Sequence, residues 1–203
     1  ARMVPAPDER FEKEGPLFVV ADSYHKLPYD ADASRAPEPP IEGLRGVEDF
    51  RAEVERKLYT HNLGHAAMGY LGYLKGYTFV HETFDDEELL GIFEGALDET
   101  AAALTARHPG SLDPEEHAEV RKDVRIRFGN PMLKDSLTRV ARDPLRKLGS
   151  GDRLIGSGRL CLDYGMTPKH IARICGAAYR YDYSDDPAAV ELQKIIAERG
   201  IEG

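Results

Sequence analysis

Lys57, His61, Asn62 and His65 fall within one short segment, Arg56-Lys57-Leu58-Tyr59-Thr60-His61-Asn62-Leu63-Gly64-His65. Around it Val54, Leu58, Ala66, Ala67, Tyr70, Leu71 and Leu74 recur at steps of three and four, so the segment reads as part of a helix. A lysine half buried by such a helix has its pKa pulled down by desolvation and can act as a base. Asn62 and His65 are i, i+3 neighbours whose side chains can meet. At about 100° per residue, Lys57 lies roughly 80° from His65 and roughly 140° from Asn62 on a straight helix. A bend near Gly64, or a substrate filling the gap, is needed to bring the three together. The plainer alternative is a solvated lysine beside a capped or core histidine. A second chemistry is zinc: His61 and His65 stand one turn apart, as in HExxH sites. The residue after the first histidine is Asn62, however, so the general-base Glu of that motif is missing. No third ligand follows at a fixed spacing, His81 being the nearest candidate.

A second stretch concentrates cations in a chain of net charge −9: Arg139, Arg142, Arg146, Lys147 and Arg153. Guanidinium forks match phosphate oxygens in pairs, so such a cluster invites a phosphate. The competing reading pairs these side chains with Asp135, Asp143 and Asp152 at the surface. Asn130, between Gly129 and Pro131, is accounted for as a helix N-cap.

Three blocks occur in order. The first is Lys57-x4-Asn62-x2-His65 with Glu55-Arg56 before it and Tyr70-Leu71-Gly72 after it. The second is Arg127-Phe128-Gly129-Asn130-Pro131 with Lys134-Asp135. The third is Asp143-Pro144-Leu145-Arg146-Lys147-Leu148 with Gly151-Asp152-Arg153-Leu154-Ile155. Together they resemble the long-chain polyol dehydrogenases, the mannitol dehydrogenase family, and most of all its mannitol-1-phosphate 5-dehydrogenase branch. The resemblance covers nearly the whole chain and is weakest over residues 75–125. It implies Lys57 as general base, Asn62 as oxyanion donor, His65 as substrate-orienting donor, and no metal. It also implies that Arg139 and Lys147 contact the polyol chain, with Arg142, Arg146 and Arg153 as candidate phosphate ligands.

These residues need elements to hold them, and the punctuation from Val47 on is helical. Asp49 caps a helix to about Tyr73, with Gly76 beyond its end. Thr83 to Asp86 caps a second, closed by His108-Pro109-Gly110. Asp113-Pro114 opens a third to about Phe128, and Asn130-Pro131 a fourth to about Arg142. Asp152 heads a fifth that stops at Gly165, Thr167-Pro168 opens a sixth, and Asp186-Pro187 opens a seventh ending at Gly200. The expected fold is mainly α, an orthogonal multi-helix array. The resemblance implies the C-terminal domain of 6-phosphogluconate dehydrogenase-like enzymes. Before it, Leu17-Phe18-Val19-Val20 reads as a short strand and residues 35–40 as a Pro-rich connection. Residues 1–45 are expected to be a strand-containing remnant of a Rossmann-type cofactor domain, and 46–203 the helical catalytic and substrate domain. The resemblance implies that Arg2-Met3-Val4-Pro5 belongs near the end of that cofactor domain, so the chain reads as a fragment.

Composition narrows the function classes. Hydrophobic residues at 41% suffice for a core, and the net charge of −9 argues against a nucleic-acid surface. No apolar run approaches the roughly 20 residues of a membrane helix, and no signal-peptide pattern is visible. Two cysteines, Cys161 and Cys175, point to a reducing cytosol and away from a disulfide framework. GxGxxG and GxxxxGK[ST] motifs are absent. The resemblance therefore implies a chain that supplies the substrate domain of an NAD-dependent oxidoreductase interconverting mannitol 1-phosphate and fructose 6-phosphate, with NAD held mainly by its own Rossmann-type domain. Mannitol 2-dehydrogenase and fructuronate or tagaturonate reductase are alternatives within the family. A non-catalytic helical interaction module is the alternative outside it.

Overall fold

The structure, a computed structural model, describes residues 26–201 except 36, 38 and 39. The strand expected at Leu17-Phe18-Val19-Val20 lies outside the described residues. The chain divides into two compact units, one up to Val54 and one from Glu55.

The first unit holds a parallel pair, β1 (Leu27–Asp30) and β2 (Leu44–Val47), in register Leu27↔Leu44 to Asp30↔Val47. Parallel strands need a crossover connection of about a dozen residues or more. Residues 31–43 supply it, Pro37 and Pro40 among them, and Gly43 at φ 83° turns the chain into β2. β2 runs to Val47, so strand continues past residue 45, where helix was expected to take over. Asp49 then caps α1 (Phe50–Arg56) through the Ala52 N–H at 3.1 Å.

The second unit is helical. A π-helical turn, Lys57–Asn62, follows α1 and leads into α2 (Leu63–Lys75). The remaining helices among the described residues are α3 (Glu87–Arg107), α4 (Pro114–Phe128), α5 (Leu137–Ala141), α6 (Pro144–Lys147), α7 (Ile155–Asp163), α8 (Lys169–Tyr179) and α9 (Pro187–Arg199). Short 3-10 turns stand at Val80–Asp85 and Pro131–Leu133.

α2 is the central element. Leu63, Ala66, Ala67, Met68 and Tyr70 have no exposed surface, and a fully buried large apolar side chain contributes about 1.5–3 kcal/mol. Small residues let its neighbours approach: a Cβ on Gly72 would lie 2.5 Å from Thr83 Cγ2. The Tyr70 hydroxyl donates to the Ala141 carbonyl at 2.7 Å, tying α2 to α5.

The cap signals behave as their chemistry requires. Asp86, Asp113 and Asp186 accept N–H groups of α3, α4 and α9, and Gly76 closes α2 at φ 81°. Elsewhere the structure corrects the expected elements. The fourth helix is two pieces, because Lys134 takes a left-handed conformation (φ 46°, ψ 38°) and Ser136 pairs with Phe79 as an antiparallel bridge. Ser136 then caps α5 afresh. Asp152 does not head the fifth helix: its carboxylate accepts the Arg153 N–H at 2.6 Å, and α7 begins at Ile155. α8 is capped from a distance, since Glu99 on α3 accepts the His170 and Ile171 N–H groups at 2.9 and 3.1 Å.

Candidate active site

The π-turn supplies the local geometry that a straight helix withholds. Leu63 donates its N–H to the Leu58 carbonyl, an i→i−5 bond that widens the turn. In that register the residues of the turn are spread more widely round the axis than in an α-helix, and His65 follows three residues beyond Asn62. The irregularity in the helix lies before Gly64, at Lys57–Asn62. π-turns inside helices occur frequently at functional sites.

Both residues before Lys57 are tied down. Glu55 accepts from His108 Nε2 at 2.8 Å and Arg107 Nε at 3.1 Å, at the C-terminal end of α3. The Arg56 guanidinium lies 3.5 Å from Glu116 on α4. Lys57 itself is exposed and Asn62 half-buried. Gly64 is set against the Phe93 ring: a Cβ there would come within 2.8 Å of Phe93 and 3.3 Å of Phe128.

The His65 imidazole lies flat on Phe128, centroids 3.8 Å apart and planes 9° off parallel, with His61 edge-on at 5.0 Å. Its Nε2 is 3.4 Å from Asp135 Oδ2, and the other oxygen of that carboxylate accepts from the Arg139 guanidinium. Asp135 therefore joins His65 on α2 to Arg139 on α5. The sequence reading treated Asp135 only as a surface partner for arginines, and it is buried at 4% exposure. The available signal was a carboxylate four residues before Arg139.

Arg142, Arg146, Lys147 and Arg153 form a second group around α6. Arg142 is exposed, and its carbonyl accepts from Lys147 Nζ. Lys147 is buried, at 3% exposure. Burial first, then the nearby Arg146 and Arg153, push its amine down to about 8. Arg146 pairs with Asp143 at 2.8 Å and Asp152 at 3.1 Å, and Arg153 pairs with Asp152 at 2.8 Å. The acidic partners weighed against phosphate binding are thus in contact with Arg139, Arg146 and Arg153. Asn130 accepts the Met132 N–H at 2.9 Å, as its cap reading expects.

Among the described residues, no group of three or more His, Cys, Asp or Glu side chains is arranged to hold a metal ion. Nor does any helix there have the length and apolar character to cross a membrane. Cys161 and Cys175 are free thiols.

The profile of the mannitol dehydrogenase C-terminal domain matches residues 49–199. The mannitol-1-phosphate 5-dehydrogenase of Caldanaerobacter subterraneus is 36% identical over 200 residues, which are 98% of this chain and 50% of that protein. Its counterpart from Bacillus licheniformis is 38% identical over 94% of this chain and 50% of that protein. The chain spans about half the length of the curated relatives it matches. Among solved structures, Pseudomonas fluorescens mannitol 2-dehydrogenase in ternary complex with NAD and D-mannitol is similar at TM-score 0.64 and 25% identity, over 77% of this chain and 32% of that one. A substrate-free D-sorbitol dehydrogenase shares the fold at TM-score 0.71 and 21% identity, over 97% of this chain and 51% of that one.

Proposed function

Because this chain belongs to the mannitol dehydrogenase family through that family's C-terminal domain, we propose that it is the substrate and catalytic half of an NAD-dependent oxidoreductase that interconverts mannitol 1-phosphate and fructose 6-phosphate. What supports the reading is the match to the family's C-terminal domain together with the π-turn over Lys57–Asn62, an irregularity of the kind found at functional sites, which leads directly into His65. Oxidising a secondary alcohol requires that the hydroxyl proton leave as the carbon gives up hydride. Lys57 is the base we assign for that proton, and no metal is needed for the step. Asn62 donates an N–H to the alkoxide that develops, and His65 orients the substrate beside it. Arg139 and Lys147 bind the hydroxyl-bearing chain.

NAD is the hydride acceptor we assign, as bound in the Pseudomonas complex, and when bound it receives the hydride at its nicotinamide. The described residues contain no strand, glycine-rich loop and helix to cradle a pyrophosphate. The steps assigned here are therefore those of this chain's own side chains, and the partner we assign for the cofactor is a Rossmann-type domain of the same protein.

Phosphate as the substrate's charged end rests on the curated relatives and on the basic stretch. Arg142 and Arg146 are the exposed members, and Arg146 and Arg153 would exchange carboxylate partners for phosphate oxygens. Two or more charged hydrogen bonds at roughly 1.5–3 kcal/mol each separate a phosphorylated substrate from a neutral one. In the complete protein with NADH, kcat/KM for fructose 6-phosphate should exceed that for fructose by at least about 100-fold. A ratio near one removes the phosphate site. A preference for fructuronate moves the protein to the uronate-reducing branch.

Lys147 supports a second reading of the base, since its amine is the one pushed toward neutrality. Against it stands its bond to the Arg142 carbonyl, in which Nζ is a donor, as suits an amine that keeps its protons.

A further inference from the structure

Asp135 is a buried acid held in place from several directions. Lys134, immediately before it, occupies the left-handed region that a lysine rarely adopts, so the chain turns sharply at this point. The Asp135 carbonyl accepts the Val80 N–H at 2.9 Å, Ser136 bridges to Phe79, and Leu137 donates to the Thr78 carbonyl at 2.9 Å. The backbone carrying the carboxylate is thus clamped to residues 78–80. From that fixed point one oxygen takes the Arg139 guanidinium, and the other faces His65 Nε2 at 3.4 Å. Phe128 fixes the plane of the imidazole by stacking, but stacking does not distinguish the two orientations related by a half-turn about the Cβ–Cγ bond. The charge of a carboxylate 3.4 Å from Nε2, close enough to pair though without hydrogen-bond geometry, favours the orientation that turns a nitrogen toward it.

We propose that Asp135 is a positioning residue of the oxidoreductase site: its single carboxylate fixes the orientation and tautomer of His65 and couples it to Arg139, so that the groups on α2 and α5 meet the substrate as one unit. The proposal rests on the reading of His65 and Arg139 given under Proposed function. Its physical content is separate from that reading. A carboxylate near Nε2 holds the proton there, which leaves Nδ1 as the acceptor nitrogen of the neutral ring, so that toward the substrate His65 accepts from a hydroxyl rather than serving as the donor the resemblance implies. The same charge balances a guanidinium that would otherwise be half-buried without its counter-ion. An ion pair that served the fold alone would contribute to stability without setting the tautomer of His65.

The test uses the complete protein with 15N-labelled histidine, the His65 signals being identified by their loss in His65→Gln. The neutral His65 of the parent should show the Nε2–H tautomer. Asp135→Asn should shift it toward a mixture of tautomers. It should also lower kcat about 10- to 100-fold, the range seen when a partner that orients a site histidine is removed. KM for fructose 6-phosphate should rise, because Arg139 loses its anchor. In a His65→Ala background the same substitution should cost kcat little further, since coupled residues are not additive. An Nδ1–H tautomer in the parent overturns the proposal even if the variant fails to fold. So do unchanged 15N signals in the variant, or a kcat loss that persists undiminished in the His65→Ala background. If Lys57→Ala turns over normally, the reading of the reaction fails, while the nitrogen signals still decide whether Asp135 sets His65.

Discussion

Lys147 and the arginines beside it show how far a single buried charge reaches. Its amine titrates at about 8 in the fold and near 10.4 in an unfolded chain. Between those values the unfolded state binds more protons, so stability rises with pH across that window. Below pH 8 both states are protonated and the fold carries the whole penalty, on the order of 3 kcal/mol at 1.36 kcal/mol per pKa unit. Lys147→Met should therefore be stabilising at pH 7 relative to the parent, and the difference should shrink toward pH 10.5. Paired denaturant titrations at pH 7, 9 and 10.5 would measure it, and comparing variant with parent cancels the other groups that titrate there. A difference independent of pH would show that Lys147 carries no such penalty. Retaining a costly lysine is consistent with work at a substrate. The sequence displayed Lys147 and its cationic neighbours plainly. It did not display which were neutralised, because Asp143 and Asp152 reach Arg146 and Arg153 only through the tight turns around α6. Nor could it show Asp135 buried, since that depends on a left-handed Lys134 that no residue pattern announces.

The π-turn and α2 are where local sequence and tertiary packing divide the work. Cap residues and their prolines were readable because each acts within a few residues: Asp86, Asp113 and Asp186 all cap as their chemistry predicts. The widened turn at Lys57–Asn62 was not readable, because its residues suit an ordinary helix and the extra residue is accommodated only by packing. Glu99 capping α8 from α3 is hidden for the same reason, being a contact across 71 residues. Gly64 offers a test at this scale. Gly64→Ala would push a Cβ to 2.8 Å from Phe93 and 3.3 Å from Phe128, the ring on which His65 lies. Overpacking of this kind typically costs about 1–3 kcal/mol. Thermal unfolding should fall accordingly, and kcat should fall with it as the imidazole loses its platform. Gly91→Ala on α3, where nothing lies within 4 Å of the added Cβ, is the control and should be neutral or slightly stabilising. Equal effects at the two positions would remove Gly64 from the account.

For the whole molecule, a helical unit built around α2 brings His65 together with Asp135 and Arg139, which lie some seventy residues on, while Lys57 and Asn62 stand in the turn that leads into α2. The mainly α architecture was legible in the cap and glycine punctuation, and the family was legible in three ordered blocks of residues. The reaction as a whole belongs to a longer protein in the relatives, of which this chain spans about half. The central claim is that the π-turn carries the base, and it is tested most directly by Lys57→Ala in the complete protein. Turnover of mannitol 1-phosphate should be followed at saturating NAD and substrate, with thermal unfolding as the control for folding. We expect turnover to fall about 10²- to 10⁴-fold, the usual cost of losing a general base, with the unfolding temperature little changed. Lys147→Met should affect KM more than turnover. Near-parental turnover in Lys57→Ala, with the collapse appearing in Lys147→Met instead, would contradict the assignment and place the base on α6.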